Sequence, residues 1–247
     1  MAYLEREVRR QVGQAIHQYR LIEDGDRILV ALSGGKDSLV MLKLLHERRS
    51  RVPIDYEIRV VTVDLGYDGG NLGLLQDYVR GLGYDFVLKK TNIGDMAHSP
   101  LNRESPCFLC ARLRRKIFFE VAEELGCTKV ALGHNRDDII ETFFLNVLYC
   151  GEISTMVPHQ VLFGGKLSII RPLALLEERK IKFYAKLHNF PEIHDGCPTK
   201  GLTRRWELKF LLEELDKRDR RIKNNIFRAL SNVKHEYLLG DGHGPSF

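Results

Sequence analysis

Residues 27–32 read RILVAL, a short, branched, apolar run that stops at Ser33-Gly34-Gly35-Lys36-Asp37-Ser38, and helical spacing resumes over residues 39–45. Such a run, bounded by glycine and serine, reads as a buried strand feeding a loop and then a helix. The pattern recurs, with strands expected at 57–63, 86–89, 129–132 and 167–170 and helices at 72–82, 107–125 and 136–148. Strands alternating with helices imply an α/β fold, an open parallel sheet with helices on both faces. Before the first strand, Leu4, Val8, Val12 and Ile16 repeat every four residues between polar neighbours, which predicts an amphipathic helix. Beyond Pro172 the β-branched runs cease, and 177–188, 203–215 and 218–230 all carry helical spacing, a helical C-terminal extension. The expected organisation is an N-terminal helix over 1–24, an α/β domain over 25–175 and a basic helical extension over 176–247.

The glycine loop sits where backbone N–H groups and the positive end of a helix hold phosphate oxygens. Its two adjacent glycines let that backbone approach closely. Asp37 after Lys36 is incompatible with a Walker A loop, and no Gly-x-Gly-x-x-Gly follows the strand, so an ordinary P-loop and a dinucleotide site are both excluded. Val63 and Asp64 end the second strand, at the edge where open α/β sheets bind ligands; Asp64 equally fits a turn. Gly133-His134-Asn135-Arg136-Asp137-Asp138 follows another strand, and Asp137 and Glu141 share one face of the next helix, where they could build a cation site. Acidic residues complementing a helix start account for Asp138 and Glu141 as well.

Five cysteines in 247 residues, with no secretion-type N-terminus, argue for metal or redox use over a disulfide framework. Cys107 and Cys110 form a Cys-x-x-Cys that opens a helix, and Cys197 in Gly196-Cys197-Pro198 is the natural third ligand. Cys127 and Cys150 read as small hydrophobes beside apolar segments. A closed zinc site of Cys107, Cys110, His194 and Cys197 is an alternative to a cluster. The net charge of +5 is unevenly spread: between Thr199 and His235 eleven basic residues face five acidic ones. Arg204, Arg205, Arg218, Arg220, Arg221 and Lys223 are therefore candidates for contacts to nucleic-acid phosphates, with Trp206 as a stacking face and Arg112, Arg115 and Lys116 extending the surface. A solvated charged helix face is the competing reading. No apolar stretch is long enough for a membrane-spanning helix, and a cytoplasmic location is expected.

SGGKDS after the first strand resembles the pyrophosphatase-type loop of the PP-loop ATPases, which cleave ATP between the α and β phosphates. The resemblance implies that Ser33, Gly34, Gly35, Lys36 and Ser38 cradle phosphates while Asp37 helps hold Mg²⁺. It also implies that Val63, through its backbone, and Asp64 contact adenosine, that Gly133 contacts the nucleotide, and that Lys36, Asp37 and Asp137 act catalytically. With CFLCARLRRK, ALGHNRDDIIETFFLN, Ile170-Arg171-Pro172-Leu173 and NNIFRALSNV, most of the chain is similar to the tRNA 2-thiolation branch, in particular its 2-thiocytidine group. In that branch three cysteines hold a [4Fe–4S] cluster with one iron open, here Cys107, Cys110 and Cys197, and a basic residue at the position of Arg114 lies against ATP. The implied reaction adenylates the C2 oxygen of a pyrimidine and replaces it with sulfur. The implied partners are tRNA, a sulfur donor such as a cysteine desulfurase, and a second copy in a homodimer. The single late cysteine in GCPT departs from the 2-thiocytidine pattern toward that of 2-thiouridine enzymes, whose terminal zinc fingers this sequence lacks. Both bases therefore stay open, as do a PP-loop ligase of amidating or lysidine type and a non-catalytic nucleotide-binding or redox-sensing module.

Overall fold

The computed structural model describes residues 2–67, 71–191, 193, 196–199 and 201–239. Its strands are β1 (Asp26–Ala31), β2 (Tyr56–Asp64), β3 (Phe86–Lys90), β4 (Lys129–Ala131), β5 (His159–Leu162) and β6 (Leu167–Ile170). They form one six-stranded sheet in the order β3-β2-β1-β4-β6-β5. All neighbours pair in parallel except β5, which runs antiparallel to β6 as the edge strand. The sequence pattern did not disclose β5, a partly exposed HQVL hairpin arm that lacks the apolar run of its neighbours.

The helices are α1 (Ala2–Gln18), α2 (Lys36–Arg49), α3 (Leu72–Gly81), α4 (Ile93–His98), α5 (Pro106–Glu124), α6 (Arg136–Leu145), α7 (Glu178–Leu187), α8 (Arg204–Arg218) and α9 (Arg221–Ala229). The helix expected over 136–148 ends as α-helix at Leu145 and continues as a π-helical turn over Asn146–Cys150, closed by Gly151 at φ 68°. Alternate residues of β1 face opposite layers, as the pleat requires: Ile28 and Val30 pack with α1, α2, α3 and α7, whereas Leu29 and Ala31 pack with Phe118, Val121 and Ala122 of α5. The first core is continuous across the expected segment limits, because Val8, Val12, Ala15 and Ile16 of α1 and Ile181 and Tyr184 of α7 belong to it. Among the described residues no helix is long and apolar enough to cross a membrane.

Candidate active site

The chain leaves β1 toward β2 and β3 on one side and returns to β4 on the other, so the loops after β1 and β4 flank the crevice where the strand order reverses. These loops touch. A Cβ added to Gly133 would lie 3.0 Å from the Ser38 amide nitrogen and 3.1 Å from the Asp37 carbonyl carbon. Only glycine permits that approach. Gly34 has φ +78° and lies under Ile193, whose Cβ would be 2.8 Å from an added Cβ, so Ile193 sits directly over the phosphate loop.

Ser38 is buried, and its hydroxyl braces the loop by donating to the Gly35 carbonyl at 2.8 Å and accepting from the Ser33 amide at 3.2 Å. The Gly35 amide donates to the Ser33 hydroxyl at 3.3 Å. No side chain caps α2, which leaves its first amides pointing into the crevice as an anion site. Lys36 stands over this end, 4.0 Å from Asp37 and 3.5 Å from Glu178.

Asp37 has one carboxylate oxygen, Oδ1, that is buried without a hydrogen-bond partner. Burial pushes its carboxyl up to about 6; Lys36 opposes the shift, and Asp138 and Glu178 add to it. An orphaned carboxylate oxygen beside a phosphate-binding loop fits a divalent cation such as Mg²⁺. Asp137, the other acidic candidate for catalysis, is held by the protein's own groups. Its Oδ2 accepts the Glu178 amide at 2.8 Å and its Oδ1 is paired with Lys223 at 2.9 Å, so both oxygens are engaged within the protein. Asp138 completes a capping box with Asn135, which explains it structurally. Burial lifts the Glu141 carboxyl to about 7, with Asp138 adding and Arg205 opposing.

Burial also acts to raise the carboxyl of Glu178, but the hydrogen bond and charge of Lys209, with Lys182 and Lys36, outweigh it and hold it at about 2. His134 is pushed down to about 3 by burial and by Arg171, whose guanidinium donates to its Nδ1 at 3.3 Å. It is therefore a neutral acceptor.

The three expected cysteine ligands come together. Thr199 Oγ1 lies 3.5 Å from Cys197 Sγ and 3.8 Å from Cys107 Sγ; burial raises the pKa of the Cys110 thiol, Arg114 opposes the shift, and Cys197 and Cys107 add to it. Tyr67 and His98 enclose the group: His98 Nε2 is 3.3 Å from Thr199 Oγ1 and His98 Nδ1 is 3.2 Å from the Tyr67 hydroxyl. Burial and Cys197 both raise the Tyr67 hydroxyl's pKa. Among the described residues no three His, Cys, Asp or Glu side chains close on a single metal ion. Three neighbouring thiols, two of them at the Thr199 hydroxyl, fit the donor chemistry of an iron–sulfur cluster. His194, the fourth donor of the zinc alternative, lies outside the described residues. The charge of Arg114 acts to lower the pKa of both Cys110 and His134.

Val63 closes β2 with little exposure, and Asp64 holds the following turn by accepting the Gly66 amide at 3.0 Å. Of the basic candidates, Arg204, Arg218, Arg220 and Arg221 are exposed. Arg205 and Lys223 instead turn inward: Arg205 lies 3.4 Å from Asp138 and 3.6 Å from Glu141, and Lys223 pairs with Asp137. Sequence reasoning missed Glu178, Lys209, Thr199, His98 and Tyr67. Only Glu178 had any sequence signal, as an acid in the first turn of a helix, and that position has an ordinary structural explanation.

The PP-loop domain family matches residues 4–209 of the chain. The chain is 39% identical over 237 residues to the tRNA-cytidine(32) 2-sulfurtransferase of Geobacter sulfurreducens, covering 95% of this chain and 92% of that protein. The Burkholderia multivorans protein of the same name is 42% identical over 236 residues, covering 93% of this chain and 70% of its own length. In fold, the chain is similar to the U34-tRNA thiolase of Methanococcus maripaludis, solved with its [4Fe–4S] cluster, at a TM-score of 0.75 and 24% identity over 96% of this chain and 80% of that one. With a phosphate loop, an adjoining thiol triad and these relatives along nearly its whole length, the chain belongs to the PP-loop domain family and, within it, to the tRNA-cytidine(32) 2-sulfurtransferases.

Proposed function

We propose that the protein is an ATP-dependent sulfurtransferase that replaces the C2 oxygen of a cytidine in tRNA with sulfur, at position 32 as in its relatives. The observation that carries the reading is the convergence of Cys107, Cys110 and Cys197 in a chain whose phosphate loop lies under Ile193, four residues before Cys197 in sequence. A carbonyl oxygen on a pyrimidine is a poor leaving group. Attack of that oxygen on the α-phosphorus of ATP forms an O–P bond and breaks the bond to the β-phosphate oxygen, releasing pyrophosphate. Sulfide then adds at C2, and the original oxygen departs with AMP.

In this scheme the α2 amides and Lys36 bind the phosphates, and Arg114 neutralises charge between nucleotide and thiols. Neutral His134 accepts from Arg171, which fixes it in the β4 loop. When bound, a cluster on Cys107, Cys110 and Cys197 supplies an open iron for sulfide, and Mg²⁺ at Asp37 offsets charge on the phosphates. The exposed Arg204, Arg218, Arg220 and Arg221 suit the RNA backbone, and Arg204 lies 4.5 Å over the Tyr149 ring. A sulfur donor such as a cysteine desulfurase, whose persulfide sulfur is released as sulfide by two reducing equivalents from a thiol reductant, supplies the sulfur in the cytoplasm. Exposed Leu148, Tyr149, Ile153, Val161 and Phe163 support a homodimer, which sedimentation would register.

Mass spectrometry of nucleosides from total tRNA, with and without the gene, tests the reaction. Loss of 2-thiocytidine is expected; loss of a 2-thiouridine would move the base, and an unchanged profile would overturn the tRNA substrate. Iron and acid-labile sulfide are expected to co-purify anaerobically and to be lost in Cys107→Ala, Cys110→Ala or Cys197→Ala. Stoichiometric zinc without iron would overturn the cluster.

A further inference from the structure

Glu178 opens α7 with only 11% of its side chain exposed, and three ammonium groups converge on it. Lys209 of α8 lies 2.8 Å from one carboxylate oxygen; Lys182 lies 3.2 Å and Lys36 3.5 Å from the other. Its own amide donates to Asp137, so the carboxylate is fixed from behind as well as in front. An acid that merely complemented a helix dipole would stand in water and order nothing. This one holds the lysine of the phosphate loop and a lysine of the C-terminal helices at a common point. Lys36 and Lys182 also line a groove of about 830 Å³ with Gly34 and Gly35, space that a polyphosphate can enter, and Lys209 stands on the far oxygen of the same carboxylate.

We propose that Glu178 is a positioning residue that sets Lys36 and Lys209 as a paired cation clamp for the two outer phosphates of ATP. The inference rests on the adenylation reading and extends it, since it brings α8 into the nucleotide site. Separately, each lysine would repel the other and seek solvent. Anchored on one carboxylate, both are placed before charge builds on the departing pyrophosphate, and no reorganisation is needed at that moment.

The test compares wild type, Glu178→Gln, Glu178→Asp and Lys209→Met, all as full-length, cluster-loaded protein with tRNA. Two quantities are read: the single-turnover rate of AMP formation and the affinity for magnesium pyrophosphate. Glu178→Gln is expected to slow AMP formation roughly 10- to 100-fold. It should bind pyrophosphate at least as tightly as wild type, because a negative charge has left the site. Glu178→Asp should recover most of the rate. Lys209→Met should weaken pyrophosphate binding, and combining it with Glu178→Gln should slow the reaction little further. A purely structural role would weaken binding and rate together in Glu178→Gln, and that outcome overturns the clamp, as does a wild-type rate in that variant or unchanged pyrophosphate binding in Lys209→Met. Failure of the wild type to form AMP with tRNA would overturn the adenylation reading instead, and the pyrophosphate affinities would still decide the clamp.

Discussion

A single oxygen atom, Oδ1 of Asp37, carries the largest unpaid electrostatic cost in the phosphate loop. It is buried without a partner, and its carboxyl titrates near 6 in place of the ordinary 3.8. Between those two values the folded chain keeps a proton that the unfolded chain has lost, so folding stability falls as pH rises through this window and the full penalty stands above it. Asp37→Asn removes the charge. It is expected to stabilise the ligand-free protein at pH 7 by about 3 kcal/mol while abolishing AMP formation. The gain should disappear below about pH 3, where both states of the wild type are protonated. Denaturant unfolding at the two pH values checks this, and equal midpoints for wild type and variant at pH 7 would overturn it. The loop residues were legible in the sequence because Ser33 to Ser38 must adopt one backbone path between a strand and a helix. The partners of Lys36 were not, because Glu178 and Lys209 reach it only through tertiary packing.

Between elements, α8 and α9 present two unlike faces, and the sequence disclosed only their summed charge. Lys223 reaches in to Asp137 with 15% of its side chain exposed, whereas Arg221 pairs with Asp219 at the surface, 83% exposed. Removing one partner of a buried pair leaves the other charge uncompensated. Lys223→Met is therefore expected to destabilise the protein by about 3 kcal/mol. Arg221→Ala should leave the unfolding midpoint unchanged. The outward arginines give the opposite pattern in RNA binding. Replacing Arg218 or Arg220 by alanine should reduce the slope of log affinity against log salt by about 1 each, if each contacts one phosphate. Unchanged slopes would show that the RNA path avoids this face. Some elements were hidden for local reasons. β5 is half polar because it is an edge strand, and α4 contains Gly94, which reads as a helix breaker but is required because a Cβ there would lie 2.5 Å from the Tyr67 ring.

At the scale of the whole molecule, alternation of strand and helix was readable because a sheet buried on both faces leaves apolar runs that nothing else in a chain this size explains. Where one cooperative unit ends was not readable, because an amphipathic helix shows which face it buries but not what it is buried against. The structure supplies the partner. Val8, Val12, Ala15 and Ile16 of α1 are buried in the core that contains Leu44 and Leu45 of α2 and Ile181 and Tyr184 of α7. Burying a Val- or Ile-sized side chain contributes about 1.5–3 kcal/mol, so the three larger α1 side chains together supply several kcal/mol. That sum is comparable with the roughly 5–15 kcal/mol by which a domain is stable at all. Removing α7 as well would uncover the other side of the same cluster. A fragment of residues 25–175, though it holds the phosphate loop, two of the three candidate cysteine ligands and all six strands, is therefore expected not to fold cooperatively. Amide NMR dispersion and denaturant unfolding of that fragment, compared with the full chain, are the measurements. A sharp unfolding transition in the fragment would mean that the sheet and its α5 layer are self-sufficient, and that α1 and α7 are attachments to a domain and not parts of its core.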